Sequence, residues 1–266
     1  MKSCFKYHGG KFYLRKKIVE LFAPHQRYIE PFFGAGHVFF EKPPSPTEII
    51  GDINRQIYNM WKQIADEPTR FIEGMQKWDY SQASFDYATF IYNCDFAISY
   101  AAQRTYVQYR QSLGGRGKAW AKPSANRLRR GMPDNISAWE SALKLIPENS
   151  KRLQGVGIRC CSAIQLLIEF NRTDSLFYLD PPYLSETRIS PSVYDYEMTT
   201  IQHRMLLETI TRSKAQIILS GYSNEMYADY LKDWAKLEIP QKAHSSSSTK
   251  KGERMEIIWT NTNLIG

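Results

Sequence analysis

The chain has 266 residues, 42% hydrophobic and 23% charged, a globular composition that excludes wholesale disorder and fits one large domain or one domain carrying an insertion. Thirty-five Lys and Arg against 27 Asp and Glu leave a net charge of +8, a surplus that suits a polyanionic partner. The longest apolar runs, Ala215 to Leu219 and Ile257 to Trp259, are far shorter than the roughly 18 residues a membrane span needs, and the charged N-terminus has no apolar core of signal-peptide type.

Taken in chain order, Leu14 to Phe22 predicts a short amphipathic helix with Ile18, Leu21 and Phe22 on one side. Gln26 to Pro31 predicts a strand running into a tight turn at Phe32-Phe33-Gly34-Ala35-Gly36, followed by a helix start. Glu48 to Ile50 predicts a second strand, closed by Gly51-Asp52. Ile53 to Ile64 resumes helical spacing through Ile57, Met60, Trp61 and Ile64. Strand, glycine turn, helix and strand open a parallel α/β sheet.

Residues 61–150 change character. They are rich in aromatics, Gln and Arg and lack strand–helix alternation, and they predict an inserted, mostly helical domain between a core of 1–60 and 151–266. From Arg104 to Arg130 the chain carries eight basic residues and no acid: Arg104, Arg110, Arg116, Lys118, Lys122, Arg127, Arg129 and Arg130. Gly114, Gly115 and Gly117 break this stretch into a loop or hairpin with basic arms.

Alternation then returns. Ser175 to Leu179 predicts an apolar strand ending in Asp180-Pro181-Pro182-Tyr183. Thr200 to Lys214 predicts a helix with Ile201, Met205, Leu206 and Ile210 facing inward; Ala215 to Ser220, a strand; Glu225 to Trp234, a helix. Leu237 to Ile239 and Glu256 to Thr260 predict two last strands around a polar loop, Ser245 to Gly252. The four cysteines, Cys4, Cys94, Cys160 and Cys161, form no C-x-x-C pair and read as buried free thiols, and the scattered histidines give no support to a zinc site.

Three short elements carry chemistry. In Glu30-Pro31-Phe32-Phe33-Gly34-Ala35-Gly36 a strand delivers the chain to glycines, where backbone approaches a ligand closely, and Asp52 stands 16 residues beyond Gly36 at the end of the next strand. An acid near that spacing accepts ribose hydroxyls in nucleotide-binding α/β folds; the missing third glycine suits a ligand with one adenosine and no pyrophosphate. In Asp180-Pro181-Pro182-Tyr183 the prolines stiffen the backbone, Asp180 and the carbonyl after it are two acceptors for one amino group, and Tyr183 offers a flat face to a nucleobase. Tyr7-His8-Gly9-Gly10-Lys11 joins an aromatic, two glycines and a cation. Each alone has a plainer reading: a tight turn, a proline-capped strand end, a surface turn.

Together, Tyr7 to Lys11, Glu30 to Gly36, Asp52-Ile53-Asn54 and Asp180 to Tyr183 resemble, in order and spacing, the Dam-like DNA adenine-N6 methyltransferases. Tyr196 to Thr199, Leu219 to Tyr222 and Arg254 to Trp259 are similar to phage- and prophage-type members of that family. The resemblance covers about 1–60 and 155–266 and fades in the middle, where the family places its target-recognition domain.

The resemblance implies a Rossmann-like core that binds S-adenosylmethionine and methylates N6 of a flipped-out adenine in double-stranded DNA. By position it assigns Tyr7, Lys11, Glu30, Phe32, Gly34, Gly36, Asp52 and Asp180 to the cofactor, and Asp180, Pro181, Pro182 and Tyr183 to the reaction. Many members carry an acid upstream of the Asp-Pro-Pro-Tyr, near the cofactor adenine; here Ser162 stands in that neighbourhood. Arg and Gln read bases and Arg and Lys bind phosphates, which makes Arg104, Gln108, Arg110, Arg116, Lys118 and Arg127 candidate DNA contacts, with Gln103 and Gln111 beside them and Lys250, Lys251 and Arg254 as a second group. No metal is implied. A cytoplasmic monomer in a bacterial or phage-infected cell is the expected setting. Two other readings stay open from sequence alone: methylation of another planar amino group (cytosine N4, an RNA base, a protein glutamine), and a DNA-binding relative without turnover.

Overall fold

A computed structural model describes residues 1–90, 98–184, 196–241 and 254–262. In chain order, α1 (Arg15–Glu20) leads to β1 (Arg27–Glu30) and β2 (Thr47–Gly51). Next come α2 (Arg55–Asp66), α3 (Pro68–Met75), α4 (Gln82–Phe90) and α5 (Ile98–Arg110). A short hairpin, β3 (Leu128–Arg129) and β4 (Met132–Pro133), precedes α6 (Asp134–Leu143), α7 (Ile146–Arg152) and β5 (Gly157–Arg159). The last third holds α8 (Ala163–Glu169), β6 (Ser175–Leu179), α9 (Thr200–Thr211), β7 (Gln216–Gly221), α10 (Glu225–Tyr230), β8 (Ala235–Gln241) and β9 (Arg254–Thr260).

The chain forms two compact units. A sheet unit contains 17–33, 44–53 and 161–266; a helical unit contains 1–16, 34–43 and 54–160. The first 16 residues and 34–43 therefore pack with the middle of the chain, a cut different from the expected functional division at 60 and 151.

In the sheet unit the strands run β2-β1-β6-β7-β9-β8. The first four are parallel, and β9 is antiparallel to both β7 and β8. Every residue of β6 and β7 is buried, as expected of central parallel strands covered on both faces, which is why both read as continuous apolar runs. Leu166 and Leu167 of α8, with Leu206, Leu207 and Ile210 of α9, close the core over Phe177, Leu179, Ile217 and Leu219. This mixed α/β arrangement is the Rossmann-like fold expected from the alternation.

One helix sits in a different phase from the one predicted. Thr199 caps α9 in a reciprocal capping box with Gln202, and the buried stripe is His203, Leu206, Leu207 and Ile210. Ile201 and Met205, expected inside, are 72% and 51% exposed. His203 belongs to the inner stripe because its Nδ1 lies 2.9 Å from the Tyr227 hydroxyl, so a polar residue holds an inward position that hydrophobicity alone assigns elsewhere.

The helical unit is built on aromatic packing. Asn54 caps α2 by accepting the Gln56 N–H, and the α2 face Ile57, Met60, Trp61, Ile64 is buried. Phe5 packs edge-on to Trp61 at 5.9 Å and beside Tyr106 at 6.0 Å, and Phe40 lies 5.4 Å from Trp61. The N-terminal segment is held by hydrogen bonds: the Cys4 N–H donates to Asn149 Oδ1 (2.6 Å), and the Tyr106 hydroxyl donates to the Cys4 carbonyl (2.9 Å). Burial raises the Cys4 thiol to about 12, making it inert; Cys160, also expected inside, is exposed, while Cys94 lies outside the described residues.

The helix expected after the glycine turn is absent. Residues 37–42 form turns, with Phe40 N–H donating to the Gly36 carbonyl and Lys42 N–H to the Val38 carbonyl. Pro43 and Pro44 end the segment before a helix can propagate, because neither has an N–H to donate.

Candidate active site

Parallel strands all deliver their following loops to one edge of a sheet, and open α/β sheets hold ligands at that carboxyl edge where the strand order reverses. Here β1 connects to β2 on one side, while β6 and β7 lie on the other, so the reversal falls between β1 and β6. Glu30 ends β1, Asp52 comes just after β2 and Asp180 just after β6: three carboxylates at the carboxyl ends of three adjacent strands. Glu30 is buried and accepts a 2.6 Å hydrogen bond from the Tyr28 hydroxyl. Asp52 and Asp180 are half-buried, and Phe32 packs against the sheet core.

Beyond Asp180, Pro181 is buried and Pro182 and Tyr183 half-buried. The Tyr183 hydroxyl lies 3.4 Å from Asp180 Oδ1 and donates to Glu256 Oε1 on β9. Its ring meets Tyr222 edge-on, with centroids 4.5 Å apart at 65°. Burial, with the carboxylates of Asp180 and Glu256, holds the Tyr183 phenol well above its ordinary range. Glu256 and Tyr222 were not assigned roles from the sequence. The available signal was a lone acid beside the apolar run Ile257 to Trp259, and a residue just past a strand-ending glycine.

The glycine turn belongs to the helical unit. Gly34 and Gly36 have φ of +45° and +63°, which glycine adopts without a Cβ clash. A Cβ on Gly34 would stand 3.0 Å from the Tyr7 ring, and the Gly34 carbonyl accepts from Trp61 Nε1 at 2.8 Å. Thus the structure brings two of the predicted motifs, Tyr7 and Gly34, into direct contact. Lys11 is buried and donates to the Gly9 carbonyl at 3.0 Å. His37, unassigned in the sequence, packs against Gly10; burial first, then Arg15, Arg110 and Lys11, lowers it to about 4, so its ring is neutral at pH 7. Ser162 caps α8 in a capping box with Gln165.

Residues 7–247 match the D12 class of N6 adenine-specific DNA methyltransferases. The chain belongs to that family. It is also 26% identical over 274 residues to the Type II methyltransferase M1.LlaDCHI of Lactococcus lactis subsp. cremoris, a similarity covering 96% of this chain and 94% of the relative. Family membership decides between the readings the sequence left open: the enzyme transfers a methyl group to N6 of adenine, and its substrate is DNA. Among the described residues no helix is long and apolar enough to cross a membrane, and no cluster of three His, Cys, Asp or Glu side chains is spaced to hold a metal.

The methyltransferase's basic stretch divides into two parts. Arg104 is only 8% exposed, and its guanidinium donates through Nε and Nη2 to the Ala88 carbonyl, so it is a packing residue of α5 and not a base reader. Gln103 and Gln111 are buried as well, Gln111 donating to the Asp79 carbonyl. Gln108 and Arg110 are half-buried, donating to the carbonyls of Gly117 and Ala138. The reason is shared: α5 crosses the aromatic core, and polar side chains on it satisfy backbone carbonyls that water cannot reach. The glycines are also closely packed: a Cβ on Gly115 would come within 3.1 Å of the Tyr7 backbone.

Arg116, Lys118, Lys122, Arg127, Arg129 and Arg130 lie beyond α5, and of these Lys118, Arg127, Arg129 and Arg130 are among the more open positions. The last two lie on the β3–β4 hairpin, whose two-residue turn is Arg130 (φ +56°) and Gly131 (φ +77°). This turn type matches the twist of a two-stranded ribbon. Lys250 and Lys251 lie outside the described residues, as does the loop Ser245 to Gly252.

Proposed function

We propose that the enzyme takes its methyl group from S-adenosylmethionine, held at the carboxyl edge of the sheet and on the glycine turn that continues β1, and that Asp180 to Tyr183 receive the target adenine out of the duplex. One observation carries the reading: Glu30, Asp52 and Asp180 stand at the carboxyl ends of adjacent parallel strands, around the reversal in strand order.

The donor set fits such a cofactor. Asp52 is a half-buried carboxylate one residue past β2, an acceptor pair for the two ribose hydroxyls. Gly34 and Gly36 offer backbone free of side chain to the methionine end, with Tyr7, Lys11, Glu30 and Phe32 lining it. Bound there, S-adenosylmethionine supplies a methyl group on a sulfonium, already activated for transfer.

The chain's own residues prepare the nucleophile. The lone pair of the adenine amino group is conjugated with the ring and reacts poorly. Two acceptors, the Asp180 carboxylate and the Pro181 carbonyl, draw its hydrogens toward tetrahedral geometry and stabilise the positive charge that develops. The Pro181-Pro182 pair holds that carbonyl in place. Turning the base out of the stack costs a few kcal/mol, and stacking on Tyr183, worth about 1–3 kcal/mol, offsets part of it. Residues 61–150 serve as the target-recognition domain, gripping phosphates through Arg116, Lys118, Arg127 and the hairpin arginines. One copy supplies every residue named, so the working unit is a monomer in the cytoplasm.

Calorimetric titration with S-adenosylmethionine tests this reading. Asp52→Ala should weaken binding about 10–100-fold, the worth of hydrogen bonds to a charged acceptor. Equal affinity in wild type and variant would remove Asp52 from the site.

A further inference from the structure

We propose that Glu256 is a positioning residue for methyl transfer: by taking the hydroxyl proton of Tyr183, it keeps the Asp180 carboxylate open to the amino group of the adenine. The proposal rests on the reading of Asp180 given above.

The Tyr183 hydroxyl has one proton and two carboxylates in reach. Glu256 Oε1 is the nearer and receives it; Asp180 Oδ1 stands at 3.4 Å. Tyr222, edge-on at 4.5 Å, holds the ring so that the hydroxyl stays between them. Glu256 itself is fixed. It is 1% exposed on β9, where Ile239 of β8 pairs with it and its neighbour Ile257 pairs with Gly221, the residue before Tyr222. A carboxylate so buried is retained only where it is paired and hydrogen-bonded. The phenol stays protonated at any working pH, since burial and both carboxylates oppose its ionisation.

This arrangement sets up a competition for Asp180. A hydroxyl that donates to Asp180 occupies a lone pair needed by the amino group and drains charge from the carboxylate that stabilises the transition state. With Glu256 as acceptor, Tyr183 keeps its stacking face and leaves Asp180 alone. Without Glu256, the same hydroxyl turns to Asp180.

Single-turnover formation of N6-methyladenine in unmethylated duplex DNA, at saturating S-adenosylmethionine, tests this through the sign of one substitution. Asp180→Ala comes first: if it still methylates, the underlying reading of Asp180 fails and this proposal falls with it. If it is inactive, Glu256→Leu should slow the reaction about 10-fold or more. Tyr183→Phe should slow the wild-type background but speed the Glu256→Leu background about 3-fold or more, because it removes the competing hydroxyl. A purely structural role for Glu256 predicts a double variant no faster than the slower single one. Glu256→Gln, which keeps the shape and guards against misfolding, should show the same reversal on a smaller scale. A Tyr183→Phe effect of the same sign in all backgrounds, or a Glu256→Leu enzyme as fast as wild type, overturns the proposal.

Discussion

At the carboxyl edge of the sheet, position alone makes a side chain available: Glu30, Asp52 and Asp180 are presented because the strands stop there. In α5 the same kind of polar residue is turned to internal use. Arg104 and Gln111 are buried against backbone carbonyls, although they belong to the most basic stretch of the chain. A strand end in a parallel sheet exports its polar residues to ligand. A helix crossing an aromatic core takes up its own, and charge becomes available to a polyanion only past its end, at Arg116 and beyond.

The largest effect should come from the sheet edge. Asp180→Ala should lower kcat about 1000-fold by removing an acceptor for developing charge, with DNA affinity and its salt dependence retained. The basic hairpin should behave in the opposite way. Replacing Arg127, Arg129 and Arg130 together by Ala should weaken DNA binding and flatten the slope of log K against log salt by about 3, one per lost phosphate contact. Arg104→Ala, by contrast, should lower the melting temperature and leave that slope in place.

Smaller effects sharpen the boundary between the two kinds of site. Gly34→Ala combines a φ of +45° with a Cβ 3.0 Å from the Tyr7 ring, so about 1–2 kcal/mol of stability should be lost in denaturant titration. His37 gives the mildest signal. Its folded-state value of about 4 lies below its ordinary 6.5, so the unfolded chain takes up the proton first. That contribution to stability is present above pH 6.5 and is lost as pH falls toward 4, and His37→Gln should flatten this part of the melting profile.

The same contrast explains what was legible in the sequence. Strand ends could be read because Gly-x-Gly and Asp-Pro-Pro-Tyr stop an apolar run, and β6 is found at the residues predicted, Ser175–Leu179. The helix expected after Gly36 failed because Pro43 and Pro44 come so soon after it, a stop that outweighs the apolar spacing. The inner face of α9 was misphased because a buried His203 carries no hydrophobic signal. Glu256 escaped notice for the same reason: its partner Tyr183 lies 73 residues away, and only strand pairing brings them together. Which arginines of 104–130 face solvent depends on the tertiary packing of α5, which a charge count does not encode.

The most direct test of this division of labour is the single-turnover methylation rate of Asp180→Ala and of the Arg127/Arg129/Arg130 triple variant, each at low salt with DNA raised to saturation. The triple variant should regain the wild-type rate once DNA is saturating, while Asp180→Ala should stay inactive with DNA fully bound. A triple variant that remains slow on saturating DNA, or an Asp180→Ala enzyme that still forms N6-methyladenine, would overturn the division between sheet edge and basic hairpin.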